Sequence, residues 1–398
     1  MSVTAGVTAA KEAPKPKIWN DPFWRGLIFQ GALLAVVLFL FASAVINARN
    51  NMQARGIPTD FAFWDRPASF DINQTLIPYS ATSPNSQVFW VGLLNTLLVA
   101  VLGIVLSTII GFAIGAARLS ASWLVAKLAA VYVETIRNVP LLLQIIFWYN
   151  VVLGNLPNPR QAAPFLDIAY LSNRGLFVPA PVFRQGINAV WIALGIGIVA
   201  AFIFRAWAAK RQRDTGQQAP VGWVSAALVL GLPLLTFLSA GRPIGVEFPQ
   251  LKGFNFVGGQ RLTPEFVALL LALTLYTAAF IAEIVRSGIL AVPKGQSEAA
   301  AALGLRAAPT RKLVVMPQAM RVIIPPLINQ YLNLTKNSTL AVAIGYPDLF
   351  NVFSGTVLNN TGAAVQIVFM TMAVYLVASL VTSGVMNAYN ARMSLRER

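Results

Sequence analysis

The chain contains no cysteine and no histidine. The first absence excludes disulfides, thiolate nucleophiles and c-type haem attachment. The second removes the usual proton carrier near neutral pH, and together they exclude zinc sites built on sulfur or imidazole. Charge is scarce as well: 11% of the 398 residues are charged, where an average soluble domain has about 25%. Any acid–base chemistry would rest on 14 carboxylates, most of them in expected loops. The phosphate-cradling pattern G-x-x-x-x-G-K-[ST] does not occur, so if ATP is used, another chain hydrolyses it.

Apolar residues are what the chain has in abundance. They make up 57% of it and come in long runs, which points to the bilayer rather than water as the solvent. A net charge of +16 would suggest nucleic acid in a soluble protein. Here many cations flank apolar runs, where they orient spans, and no nucleic-acid partner is expected.

A membrane-crossing helix needs about 20 mainly apolar residues, because about 30 Å of hydrocarbon is crossed at about 1.5 Å per residue. Six runs meet this plainly: Gly26–Ile46, Val88–Ala117, Ile187–Trp207, Gly222–Ala240, Phe266–Val292 and Ala363–Met386. Two more polar runs, Leu124–Leu153 and Val322–Gly345, complete an expected set of eight. Ala42-Ser43-Ala44 resembles a signal cleavage site, but about 25 residues precede its run and the run is long enough to span, so it is read as a span. With a cytoplasmic N-terminus, 19 cations fall inside and nine outside, which favours this topology over its inverse. Arg137 and Lys336 remain within the hydrocarbon.

These spans divide the chain into a cytoplasmic tail (1–25), an N-terminal span with an outside loop (26–87), and a first core part (88–154). A segment with two further spans (155–263), a second core part (264–390) and a short cytoplasmic tail (391–398) follow. The loop at 47–87 is broken by Pro58, Pro67, Pro78 and Pro84, and 154–186 and 241–263 read as Gly-, Pro- and Asn-rich outside loops. No solenoid-type repeat is visible.

Between the sixth and seventh spans, residues 293–317 carry helix signals at both ends. Ser297 reads as a cap, Glu298 as an anion in the first turn and Gly304 as a stop, with a second short helix over Thr310–Val315. The segment is expected to form a helix–Gly–helix knob in the cytoplasm.

Glu298-Ala299-Ala300, with Gly304 six residues after the Glu and Met-Pro-Gln at 316–318, resembles the EAA loop of bacterial ABC-importer permeases. Tyr132–Gln144 and Ala282–Ile289 resemble the polar amino-acid subfamily. The match covers roughly Val88–Gly154 and Pro264–Met386, about half the chain, and members with only this core have five spans. The added spans make the chain similar to general L-amino-acid permeases. The resemblance implies an all-α integral membrane fold of about eight transmembrane helices around a five-helix type I importer core. It also implies a non-enzymatic subunit in the bacterial inner membrane, partnered by cytoplasmic ATPase subunits, a second permease chain and a periplasmic binding protein that delivers a polar L-amino acid. No cofactor is implied. Glu298, Ala299, Ala300, Gly304 and Pro317 would form the ATPase-coupling loop, docking as a helix in a groove with small Ala side chains at the contact. Glu298 either pairs with the ATPase or serves its own helix end.

A charge at a helix centre costs about 2.5–3.5 kcal/mol on insertion scales, so intramembrane polar groups are functional candidates. Glu134 and Arg137 stand three apart, as do Glu283 and Arg286. Each is either a self-neutralising pair or a match for a zwitterionic amino acid. Asn329, Asn333, Lys336 and Asn337 form a polar stripe opposite Leu327, Tyr331 and Leu334, expected to face the bundle interior and line a path or a partner contact. Lys336 snorkelling to the interface is the bland alternative. Pro325-Pro326 is expected to break or kink this helix, and Gly111 and Gly115 are read as a packing motif. An ion-coupled secondary transporter is the rival reading; it would need no ATPase knob and often shows two repeated halves. A membrane enzyme would need a cluster of reactive groups, which two intramembrane acids do not supply.

Overall fold

A computed structural model describes residues 22–165 and 168–393, so the tails expected at 1–25 and 391–398 lie largely outside the described residues. The long apolar runs form helices α1 (Pro22–Ala54), α2 (Asn85–Ala117), α5 (Ile187–Thr215), α6 (Val221–Ser239), α7 (Pro264–Leu290) and α11 (Ala364–Met393). Six helices among the described residues are long and apolar enough to cross a membrane on their own.

The run Leu124–Leu153 is not one straight span. It forms α3 (Trp123–Asn138) and α4 (Leu141–Leu153), bent by 105°. Pro140 has no N–H to continue α3 and forces Val139 into extended backbone at φ −97°, ψ 127°. Counted as one broken span it is the seventh. The run Val322–Gly345 is covered by α10 (Met316–Asn337) and a 3-10 segment, Ser338–Ile344, which Gly345 ends at φ +75°. The expected break at Pro325-Pro326 is absent, since α10 continues through both prolines.

Helix α7 is the most enclosed of the six. Leu269, Ala272 and Leu273 pack with Val99 of α2, Ile145 of α4 and Ala341. Further along, Ile281 and Val285 meet Ala319, Ile323 and Leu327 of α10. Helix α2 approaches α7 closely because Gly111 and Gly115 lack side chains. A Cβ on Gly111 would stand 2.6 Å from Ile281 Cβ, and one on Gly115 would stand 2.7 Å from the Ala282 carbonyl.

Polar groups pin the other end of the core. Asn95 Nδ2 donates to the carbonyls of Gln74 and Pro347, both at 2.9 Å, and Tyr346 Oη donates to the Asn95 carbonyl at 3.1 Å. Asp348 is fully buried; its carboxylate accepts from the Asn351 N–H at 2.8 Å and from Tyr375 Oη at 3.4 Å. The loop after α1 is packed rather than loose: Phe63 and Ala68 join Phe89, Phe353 and Ile367 in one cluster. Tyr79 Oη donates to the Phe70 carbonyl at 2.7 Å. Burial, with the Asp71 carboxylate nearby, pushes that phenol up to about 12, so it keeps the proton it donates.

The loops flanking α5 and α6 contain short strands that the sequence pattern does not reveal. Strands β1 (Pro164–Phe165), β2 (Ala169–Ser172), β3 (Gly175–Val178) and β8 (Gln260–Leu262) form one antiparallel sheet in the order β1-β2-β3-β8. Pairing of Leu176 with Leu262 joins the two loops directly. Strands β4 (Ala180–Phe183) and β5 (Ile244–Glu247) make a second joint, and β6 (Gln250–Lys252) with β7 (Asn255–Val257) a hairpin. Phe256 of the hairpin stacks on Tyr170 at 4.4 Å. Helices α1 and α5 leave most of their large apolar side chains exposed, as suits surfaces facing lipid or another chain.

Substitution tests the α2–α7 contact. Gly111→Ala should lower stability by about 1–3 kcal/mol through overpacking. Gly384→Ala, where nothing lies within 4 Å of the added Cβ, should be neutral or slightly stabilising. Thermal midpoints of the detergent-purified variants measure the difference.

Candidate functional site

Residues 293–317 fold into α8 (Lys294–Ala302), α9 (Ala307–Thr310) and a π turn, Arg311–Val315, that enters α10 at Met316. Helix α8 begins four residues earlier than the cap signal suggests, because Pro293 pre-sets the turn and accepts from Gln296 N–H at 3.0 Å. Ser297 is therefore inside the helix, and Glu298 lies beyond its first turn. Gly304 does stop the helix. Its φ is +78°, and nothing lies within 4 Å of where a Cβ would sit, so conformation rather than space requires glycine.

Ala300 is buried, while Glu298, Ala299 and Pro317 are exposed. Leu303 is 83% exposed at the end of α8, and Leu313 is exposed nearby in the chain. Gln318 Nε2 donates to Gln296 Oε1 at 3.1 Å and fastens α8 to the start of α10. A capped helix with small side chains and a bare leucine is a surface that a groove can take.

The intramembrane charges are paired differently from the sequence expectation. Glu283 and Arg286 do bond each other at 2.6 Å. Glu134 and Arg137 do not. The Arg137 guanidinium lies over the Phe280 ring at 5.0 Å, and Glu134 stands 4.0 Å from Arg118. Arg118 also forms an ion pair with Glu283, so the residue after α2 joins α2, α3 and α7. Its charge is plain in the sequence, but there it reads only as one of the cations flanking a span.

The stripe of α10 does not face the interior of this chain. Asn329, Asn333 and Lys336 are exposed and Asn337 half-buried, because Leu327 and Leu334 occupy the inward face. Tyr331 lies at the boundary, where its hydroxyl shares a hydrogen bond with Thr108 at 2.9 Å. Lys336 has no carboxylate within 4.0 Å among the described residues. It borders a cavity of about 560 Å³ with Phe350, Ser354, Met372, Tyr375 and Ser379. No group of three or more His, Cys, Asp or Glu that could hold a metal occurs among the described residues.

Comparison with known proteins places this geometry. The family described as binding-protein-dependent transport system inner membrane component matches residues 227–395. The chain is 50% identical to the general L-amino acid transport system permease protein AapQ of Rhizobium johnstonii, over 95% of this chain and 94% of that one. It is 50% identical to the putative amino-acid ABC transporter permease protein YhdX of Escherichia coli, covering 95% and 96%. Identity to the glutamate/glutamine/aspartate/asparagine transport system permease protein BztB of Rhodobacter capsulatus is 42%, covering 91% and 93%. The chain belongs to the family of inner-membrane permease components of ABC importers. It is a multi-pass membrane subunit and not an enzyme; ATP hydrolysis in this family is the work of a partner chain. The ion-coupled alternative has no support among these relatives.

The charge environments can be tested by substitution. Lys336→Met should change stability by less than about 0.5 kcal/mol, since no partner is lost. Glu283→Gln leaves Arg118 and Arg286 without their shared acid and should cost about 2–3 kcal/mol, below the fully buried case because 26% of the Glu283 side chain is exposed. Thermal unfolding of the two purified variants compares them.

Proposed function

We propose that this chain forms half of the translocation path of an importer for polar L-amino acids, with both termini and residues 293–317 on the cytoplasmic side. The carrying observation is the α8–Gly304–α9 segment, with α8 hydrogen-bonded to α10 through Gln318 and bearing the exposed Glu298, Ala299 and Leu303. It would dock into a groove of the ATPase, with Pro317 starting the span that follows. The excess of cations around the same side supports that orientation. Cargo class follows from the names of the relatives, two of which specify amino acids in general terms and one glutamate, glutamine, aspartate and asparagine.

A second permease chain, related or identical, completes the path. The stripe of exposed Asn329, Asn333 and Lys336 with half-buried Asn337 faces that partner across the route, since it is turned away from the core of its own subunit. Glu134, Arg137 and Glu283 lie on the α3 and α7 side of the same path. A periplasmic binding protein delivers cargo to the opposite end.

Gly304→Asp and Glu298→Lys should leave the amount of assembled complex unchanged and reduce uptake by roughly tenfold, the size of an ordinary coupling free energy. Uptake of a radiolabelled amino acid, normalised to assembled complex, is the measurement. Undiminished uptake by both variants would remove the segment from the mechanism.

A further inference from the structure

Arg118 serves two carboxylates that are unequally supplied with cations. Glu283 holds both Arg118 and Arg286. Glu134 has only Arg118, at the 4.0 Å limit, with 71% of its side chain exposed. The neighbour that should neutralise it, Arg137, is occupied by the Phe280 ring. Arg118 itself is well enclosed, its side chain 14% exposed.

This asymmetry makes the Arg118–Glu283 bond one that can be given up. If Arg118 leaves Glu283, Arg286 still neutralises that acid. If it then closes on Glu134, a second acid gains a full partner. Glu283 keeps Arg286 as its partner in either position of Arg118, which matters where an unpaired charge is costly. The two acids also sit on different helices, which Tyr132 Oη joins by donating to the Leu275 carbonyl at 2.7 Å. Glu283 belongs to α7, which the three-residue turn Ala291–Pro293 links to α8, and Glu134 belongs to α3, which is separated from α4 by the 105° bend.

We propose that Arg118 is a positioning residue whose guanidinium passes between Glu283 and Glu134, so that displacement of α8 is handed to the bent α3–α4 pair. The inference rests on the coupling role given above to α8. Arg118→Lys keeps the charge but removes the fork that reaches both acids. Glu134→Gln removes the receiving acid at a position where 71% of the side chain is exposed.

The test is the number of amino-acid molecules imported per ATP hydrolysed by the assembled importer in liposomes. Both variants should lower that ratio about threefold or more while ATP hydrolysis continues. Glu134→Asp, which keeps the acid, should restore much of it. A merely structural role would lower the amount of complex and leave the ratio unchanged. A native ratio in Glu134→Gln and Arg118→Lys overturns the exchange. Should Arg118→Lys not assemble, Glu134→Gln decides alone. Gly304→Asp in the same assay keeps the two ideas apart: a native ratio there overturns the coupling role of α8, whereas a lowered ratio there with native Glu134→Gln overturns only the exchange.

Discussion

The close seating of α2 on α7 is the contact on which the rest of the core depends. Hydrocarbon offers little hydrophobic drive between helices, so association relies on close packing. Gly111 and Gly115 permit that approach, and Ile281, Ala282 and Val285 fill the space a side chain would have taken. With α7 held on this side, its remaining faces are free for α4, α10 and the 338–346 segment. The same contact brings Arg118, just past the end of α2, within reach of Glu283. Packing and charge are therefore set by one helix pair.

The two ends of α7 are used differently. At its start, Thr263 caps the helix through a bond from the Phe266 N–H at 3.3 Å, and strand β8 ends one residue before it. At its far end, Glu283 is paired twice before the chain turns into α8. A rigid hub between a braced end and an exposed coupling helix suits a subunit that must carry a push across the bilayer.

Much of this was legible in the sequence. Apolar runs locate the six plain spans because length and hydropathy are local properties, and Gly304 declares its positive φ because only glycine takes it cheaply. The bend at Pro140 was missed because an apolar run on both sides masks a break that one residue causes. The strands flanking α5 and α6 span only two to four residues each, too short for alternation to register, and the β3–β8 and β4–β5 pairings cross more than fifty intervening positions. The partners of Glu134 and Arg137 could not be read from an i,i+3 spacing. Arg118 and Phe280 compete for them from other helices, and that competition exists only once the chain is folded. The facing of the α10 stripe was legible only in part for a related reason: amphipathic spacing shows which residues share a face and leaves open whether that face meets its own subunit or the next one.

The most direct measurement is amino-acid uptake into liposomes that contain the purified complex of this chain with its ATPase and permease partners, with binding protein and cargo outside and ATP enclosed. Uptake that requires both enclosed ATP and the binding protein, and that continues when proton and sodium gradients are collapsed, is the expected result. Uptake that runs on an ion gradient without ATP would contradict the assignment of this chain to an ATP-driven importer.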